Sequence, residues 1–168
     1  VDSVTERLTR GKAEKSTVVS KVDALLNELD QVRNALEQAQ RDSAKGSLEG
    51  LVAGAFDLEG IRIISATVEA DSVDLLNQMA DWCRDRLQSG VVVLGCVIGE
   101  EVKLVSKVTP DLVKQGVHAG KLIGKVAEGV GGRGGGRPDF ANAGGRIPAR
   151  LTAALVQVSA LVRDSLGR

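Results

Sequence analysis

The chain has 168 residues, and its 22 lysines and arginines balance 22 aspartates and glutamates, so its formal net charge is zero. Hydrophobic residues make up 43% of the chain, which suits a folded core and excludes a disordered composition. The neutral total argues against nucleic-acid binding, because such proteins usually carry a basic excess. The aromatic content of 2% also argues against a base-stacking surface, which needs several exposed rings.

Few residues are suited to metal binding, disulfides or a membrane segment. Cys83 and Cys96 lack the spacing of metal ligands and are too few for a secreted disulfide framework. His118 is the one histidine, which argues against a metal site built on histidines. The longest apolar run, residues 91–98, is too short to span a bilayer, and the N-terminus has no signal core. We expect a cytoplasmic segment of a longer protein.

Residues 1–45 are predicted to form a helical, coiled-coil region. Apolar residues lie on one helical stripe at alternating spacings of four and three, and they are Val18, Val22, Leu25, Leu29, Val32, Leu36 and Ala39. With Val22 at an a position, Glu28 and Arg33 form an attractive pair in a parallel dimer, although the preceding heptad lacks one. The stripe therefore either pairs with a second copy or packs on its own chain. Gly46 is predicted to end the helix.

Residues 46–168 are predicted to form one globular domain of the α/β class, α+β-like, in which helices flank a small mixed sheet. The predicted elements are a hairpin of strands 51–56 and 61–68, a helix over 72–88, a central strand over 90–99 and an antiparallel strand over 101–108 after a tight turn near Gly99 and Glu100. Cys83 and Cys96 fall on the apolar positions of these elements, so we expect buried, inert thiols. Trp82 is expected to pack at the helix edge.

Residues 109–168 show no strand signal. A helix is predicted to begin at Pro110 and to be broken at Gly116 and Gly120, and a long amphipathic helix follows Pro148. His118 is expected to be a surface or packing histidine, because no catalytic partner accompanies it. Between the helices lies the sequence GVGGRGGGRPDFANAGG, residues 129–145, which holds eight of the 20 glycines.

This glycine-rich segment is the most informative part of the chain. Clustered glycines permit positive φ and close approach to another surface, and their N–H groups can form an anion-binding nest. Arg133 and Arg137 add planar cations suited to phosphate. A G-x-G-x-x-G spacing occurs at Gly129, Gly131 and Gly134, but it follows a helix rather than a strand and does not indicate a dinucleotide site. A flexible linker is disfavoured, because the segment has no serine and ends in an ordered-looking sequence.

The segment closely resembles the signature of the C-terminal DHHA1-type domain, or C-Ala domain, of alanyl-tRNA synthetases. The motif that carries the resemblance is VGGRGGGRPDFANAGG at 130–145. The preceding AGKLIGKVAEGVGG, the strand pair VVVLGCVIGEEVKLVSKVT and the heptad region are also similar to that family. DHH phosphoesterases share the module but typically have a histidine after the glycine triplet, where this chain has Arg137.

The resemblance implies a noncatalytic module of an alanine–tRNA ligase that contacts the outer corner of tRNA and supports aminoacylation and editing by its parent enzyme. It also implies that the helical region makes a homodimer in many members. ATP, magnesium and zinc would belong to the parent by resemblance, and no cofactor is expected in this segment. The alternatives are a substrate-binding module of a DHH-type phosphoesterase or nuclease, and a purely structural coiled-coil dimerisation module.

The charges separate along the chain. Residues 51–101 have 3 basic and 9 acidic residues, a net charge of −6, whereas residues 102–150 have 9 basic and 3 acidic residues, a net charge of +6. The basic residues are Lys103, Lys107, Lys114, Lys121, Lys125, Arg133, Arg137, Arg146 and Arg150. Such a concentration favours contact with a phosphate backbone and recognition of tRNA shape. The residues expected at the tRNA surface are Lys114, Lys121, Lys125, Gly131, Gly132, Arg133, Gly134, Gly135, Gly136, Arg137, Pro138, Asp139, Gly144 and Gly145.

Overall fold

The structure, a computed structural model, describes the backbone of residues 2–167 and the side chains of 17–39, 42 and 46–167. The chain divides into two compact units, Val1–Gly46 and Ser47–Arg168. The helices are α1 Asp2–Ala53, α2 Val73–Arg86, α3 Pro110–Lys114, α4 Ala119–Gly129, α5 Leu151–Val156 and α6 Val158–Ser165, with a 3₁₀ turn at Pro148–Arg150. The strands are β1 Phe56–Leu58, β2 Ile61–Thr67, β3 Gly90–Ile98, β4 Glu101–Val108, β5 Arg133–Gly136 and β6 Phe140–Gly145.

The six strands form one mixed sheet in the order β1-β2-β3-β4-β6-β5. Strands β2 and β3 are parallel, and every other pair of neighbours is antiparallel. The helix α2 makes the crossover between the parallel pair, as parallel strands require. The predicted mixed sheet flanked by helices is therefore confirmed.

Helices cover both faces of the sheet. One core lies under α3 to α6, and a second lies under α2 and the last turns of α1, where Leu48 is buried. Because β3 lies between the two cores, its residues from Val91 to Cys96 are almost all apolar and fully buried, which confirms the central strand. Ser72 caps α2, because its side chain accepts a hydrogen bond from the amide of Leu75 at 3.2 Å.

Two predictions about the start of the globular part are wrong. The helix α1 does not end at Gly46 but continues to Ala53, so residues 51–53 are helical and β1 begins only at Phe56. An exposed glycine costs a helix only about 1 kcal/mol. The buried Leu48 and the partly buried residues after it supply more apolar packing than that, so the helix persists.

The predictions for residues 109–168 are wrong at three places. Gly116, at φ +100, does separate α3 from α4, but Gly120 lies inside α4. The glycine-rich segment forms strands β5 and β6, although no strand was expected there. The final amphipathic helix is divided at Gln157 into α5 and α6.

Cys83 and Cys96 are completely buried, as predicted. Burial raises the pKa of the Cys83 thiol to about 11, opposed by the Arg86 charge, and also raises the pKa of Cys96. Neither thiol is expected to react with iodoacetamide in the native protein at about pH 8, and both should react after unfolding in urea. Labelling measured by mass spectrometry checks this, and rapid labelling of native protein would contradict it.

The same thiols predict a pH dependence of stability. The folded-state pKa of Cys83 lies above the usual value of 9.0, so between pH 9 and about pH 11 the unfolded chain releases this proton and the folded chain keeps it. The stabilisation that comes from keeping the Cys83 thiol neutral is therefore fully present below about pH 9. The free energy of unfolding then falls as the pH rises from 9 towards 11.

Candidate nucleic-acid interface

The glycine-rich segment forms a β-hairpin at one edge of the sheet. Strand β6 pairs with β4, and β5 is the outermost strand. The pairing continues one step into the turn, where the amide of Arg137 donates to the carbonyl oxygen of Phe140 at 2.8 Å. Pro138 and Asp139 form the exposed turn between them. The segment is thus an ordered, sheet-paired element rather than a flexible linker.

Most glycines of the hairpin are required by close backbone packing. A Cβ on Gly132 would lie 1.7 Å from the carbonyl oxygen of Gly144, and one on Gly134 would lie 2.1 Å from the Cβ of Ala143. Gly136 and Gly145 are similarly close to β6 and to Val130, respectively. A side chain at these positions would force the backbones apart.

Gly131 has a different role, because it is the one residue between 129 and 145 with positive φ, at +67. Its amide donates to the carbonyl oxygen of Glu128 at 3.1 Å, and the Gly132 amide donates to that of Ala127 at 2.8 Å. This pair of bonds is a Schellman motif that ends α4. The expected anion-binding nest is therefore wrong at this turn, because the helix end already uses these N–H groups.

Helix α4 packs on one face of the hairpin through its own glycines. A Cβ on Gly120 would lie 2.6 Å from the carbonyl oxygen of Gly136, and Gly124 faces the carbonyl oxygen of Gly134. The amide of Gly120 also donates to the carbonyl oxygen of Arg137 at 3.2 Å. This close approach holds Lys121 and Lys125, both exposed, beside the hairpin.

Two of the nine basic residues do not belong to the exposed surface. Lys107 is buried, its Nζ lies 2.9 Å from an Asp81 carboxylate oxygen, and it lies 4.0 Å from the Phe140 ring centroid. Lys103 is half-buried and ion-paired with Glu101. Both were counted as part of the basic concentration. The seven others are exposed, namely Lys114, Lys121, Lys125, Arg133, Arg137, Arg146 and Arg150.

The exposed basic residues gather unequally around the hairpin. Arg133 and Arg137 lie at its two ends, and neither makes an ion pair within the described residues. Arg146 follows β6 directly, and its amide donates to the carbonyl oxygen of Val130 at 3.0 Å. Lys114 lies on α3, which is not among the elements packed extensively on the hairpin. Gly145 is buried, so it shapes the hairpin rather than its surface.

Two hairpin residues, Asn142 and Phe140, are not among the candidate site residues inferred from the sequence. Asn142 is exposed in the middle of β6, opposite Gly135, and Phe140 packs half-buried against the core under α2. Strand alternation places both on the face away from α4, since Ala141 and Ala143 face the core under α4. The alternation could have identified Asn142, had the segment been assigned to a strand.

The chain's one histidine lies beside the hairpin. His118 lies at the N-cap of α4, and its buried Nδ1 has no hydrogen-bond partner in the described structure. Among the residues whose side chains are described, no group of three His, Cys, Asp or Glu is placed to hold a metal ion. No helix in the described part of the chain is both long and apolar enough to cross a membrane. The exposed arginine and lysine side chains can contact an anionic polymer.

This chain is similar in sequence to a domain family and to two enzymes, and similar in fold to a solved domain. The DHHA1 domain family matches residues 60–164. The alanine–tRNA ligases of Roseiflexus sp. (strain RS-1) and Roseiflexus castenholzii are 42% and 43% identical over 155 residues, which is 92% of this chain and 17% of each ligase. The solved C-Ala domain of Aquifex aeolicus alanyl-tRNA synthetase has a TM-score of 0.58 and 26% identity, over 67% of this chain and 98% of that domain. The chain therefore belongs to the DHHA1 domain family and is similar over most of its length to alanine–tRNA ligases.

Proposed function

We propose that this chain is the tRNA-binding C-terminal module of a cytoplasmic alanine–tRNA ligase, and that its hairpin contacts the outer corner of tRNA. The relatives named above are alanine–tRNA ligases, of which the chain spans about one sixth. The observation that carries the proposal is the pair of exposed arginines at the two ends of the ordered hairpin, which make no ion pair with any described residue, with Lys121 and Lys125 beside it. In this role the module binds tRNA while other domains of the parent perform aminoacylation and editing.

The mode of binding follows from the side chains available. Guanidinium groups donate bidentate hydrogen bonds to phosphate, and lysines add positive charge without a fixed hydrogen-bond geometry. No exposed aromatic ring lies on the hairpin, because Phe140 is half-buried and lies against Lys107. Recognition therefore depends on the shape of folded RNA and on its sugar–phosphate backbone. Such contacts make the affinity fall as salt rises.

We expect the double variant Arg133→Ala with Arg137→Ala to weaken tRNA binding by about 1–3 kcal/mol, the scale of charge-assisted hydrogen bonds. Binding of the purified chain to transcribed tRNA is measured by titration at several salt concentrations. The variant should also show a shallower dependence on salt, because fewer phosphates are neutralised.

A matched control is the variant Arg62→Ala with Arg163→Ala. It removes one exposed arginine from β2, which β3 and β4 separate from the hairpin, and one from α6, which packs on β2. This control should bind as the unchanged protein does. Superimposable curves for the hairpin variant and the unchanged protein would exclude the arginines as the contact. Binding that does not weaken with salt would contradict the proposed function itself.

A homodimer through α1 is the second part of the proposal. The heptad residues Val18, Val22, Leu25, Leu29, Val32 and Leu36 are all exposed in the single chain. Soluble proteins rarely leave so long an apolar stripe in water, and a second copy offers an identical stripe with the same heptad spacing. The proposed occupant of this stripe is therefore α1 of another copy.

A further inference from the structure

The hairpin has two different faces, and only one is free for a ligand. Strand alternation puts Gly134 and Gly136 on the face against Ala143 and Ala141, which α4 covers. The opposite face carries Arg133 and Gly135 on β5, Arg137 directly after it, and Gly144, Asn142 and the half-buried Phe140 on β6. We call these six residues the open face of the hairpin. Helix α2 covers β3 and β4 on that side and is not packed extensively on β5 or β6.

Gly135 is a glycine that the fold does not explain. No atom lies within 4 Å of a Cβ built at this position, and its φ is outside the positive range. A Cβ built on either neighbour, Gly134 or Gly136, would lie less than 3 Å from another atom of the chain. A glycine in a strand weakens the strand unless something approaches its backbone closely. Because no described residue of this chain does so, the position is open to the approach of an external surface.

Asn142 lies directly opposite Gly135 and completes the open face. Its side chain is exposed and makes no hydrogen bond to the part of the chain that the structure describes. Its amide both donates and accepts hydrogen bonds, as a ribose hydroxyl does, whereas a phosphate oxygen only accepts. The two arginines lie about 13 Å apart along the strand, from four residues at about 3.3 Å each. They flank the position at which Asn142 and Gly135 meet.

We propose that the open face binds the sugar–phosphate backbone of RNA, with Arg133 and Arg137 on phosphates and Asn142 on a ribose 2′-hydroxyl between them. Gly135 lacks a side chain so that the RNA backbone reaches Asn142. Asn142 is then the residue by which this face distinguishes RNA from DNA. This inference rests on the proposed tRNA-binding function and adds the face, the contacted group and the specificity-determining residue.

The test uses Asn142→Ala and Gly135→Val in the full chain, titrated with transcribed tRNA and with DNA of the same sequence. Asn142→Ala should weaken tRNA binding about fivefold, the effect of one hydrogen bond, and leave DNA binding within about twofold. Gly135→Val should weaken binding of both by about tenfold or more, because the new side chain blocks the backbone. Asn34→Ala and Gly50→Val, at exposed positions of α1, are matched controls that should bind as the unchanged protein does.

Thermal unfolding of each variant separates binding from folding, and Gly135→Val should unfold at a temperature no lower than the unchanged protein. Equal weakening of RNA and DNA by Asn142→Ala would overturn the ribose contact. Unchanged binding by Gly135→Val would overturn the open face as the binding face. If the unchanged protein binds no tRNA, the proposed function itself fails. If the unchanged protein binds tRNA and only the variant of Arg133 and Arg137 weakens binding, the inference about Asn142 and Gly135 fails while the proposed function stands.

Discussion

Replacing Gly132 with alanine is expected to lower the free energy of unfolding by about 3 kcal/mol, the upper end of the usual cost of overpacking. The new Cβ would lie 1.7 Å from the carbonyl oxygen of Gly144 and 2.5 Å from the Cα of Gly145. Both neighbours are backbone atoms, so no side-chain rotation relieves the clash. The hairpin must separate from the end of α4, which breaks the Schellman bond between Gly132 and Ala127.

The measurement is urea unfolding followed by circular dichroism, with Gly135→Ala as the matched control. An added Cβ at Gly135 meets no atom within 4 Å, so its effect should stay within about 0.5 kcal/mol. A common unfolding midpoint for the two variants would contradict the packing of the hairpin as described. If only the Gly132 variant has a lowered midpoint, the destabilisation comes from the clash with neighbouring backbone atoms and not from the loss of a glycine as such.

The double variant Leu25→Glu with Leu29→Glu is expected to abolish the proposed dimer, weakening association by more than about 100-fold. The two leucines are 64% and 62% exposed in the single chain and occupy neighbouring d and a positions of the heptad. Burying each leucine against a partner contributes about 1.5–3 kcal/mol, and a carboxylate in the same place is strongly disfavoured.

Analytical ultracentrifugation over a range of protein concentrations measures the association. Asn27→Glu with Asn34→Glu is the control, because it adds the same two charges at outward f positions of the same heptads. The control should dimerise as the unchanged protein does. A monomeric unchanged protein at all concentrations, or a leucine variant that still dimerises, would refute the pairing of α1 through this stripe.

The sequence predicts an element well where apolar spacing and tertiary packing agree. The strand β3 and the helix α2 are examples, since uninterrupted apolar residues and a clear helical stripe leave a single assignment. The hairpin had no such pattern, because the residues of β5 are one arginine and three glycines. These strands are held by backbone contacts that only glycine permits, and glycine is a poor strand former by propensity. Pattern reasoning therefore singled out this segment as the candidate site but did not predict its strands.

Charge counting had a similar limit. It located the basic segment but could not tell which lysines would be buried. Lys107 pairs with Phe140 across neighbouring strands and with Asp81 on α2, a contact that joins positions 26 residues apart in the sequence. Only the packing of α2 on β4 brings these groups together. The exposed cations that remain are seven, and of these Arg133 and Arg137 lie on the hairpin itself.

The contact between Gly120 and the outer side of β5 also bears on the solubility of the protein. An exposed sheet edge is a template on which another chain can add a strand. Here β5 is only four residues long, and a Cβ built on Gly120 of α4 would lie within 3 Å of the amide nitrogen and the carbonyl oxygen of Gly136, so the helix limits access to this part of the edge. At the opposite edge, β1 is only three residues long. Neither edge offers a long unpaired strand, which disfavours growth of this sheet into fibrils.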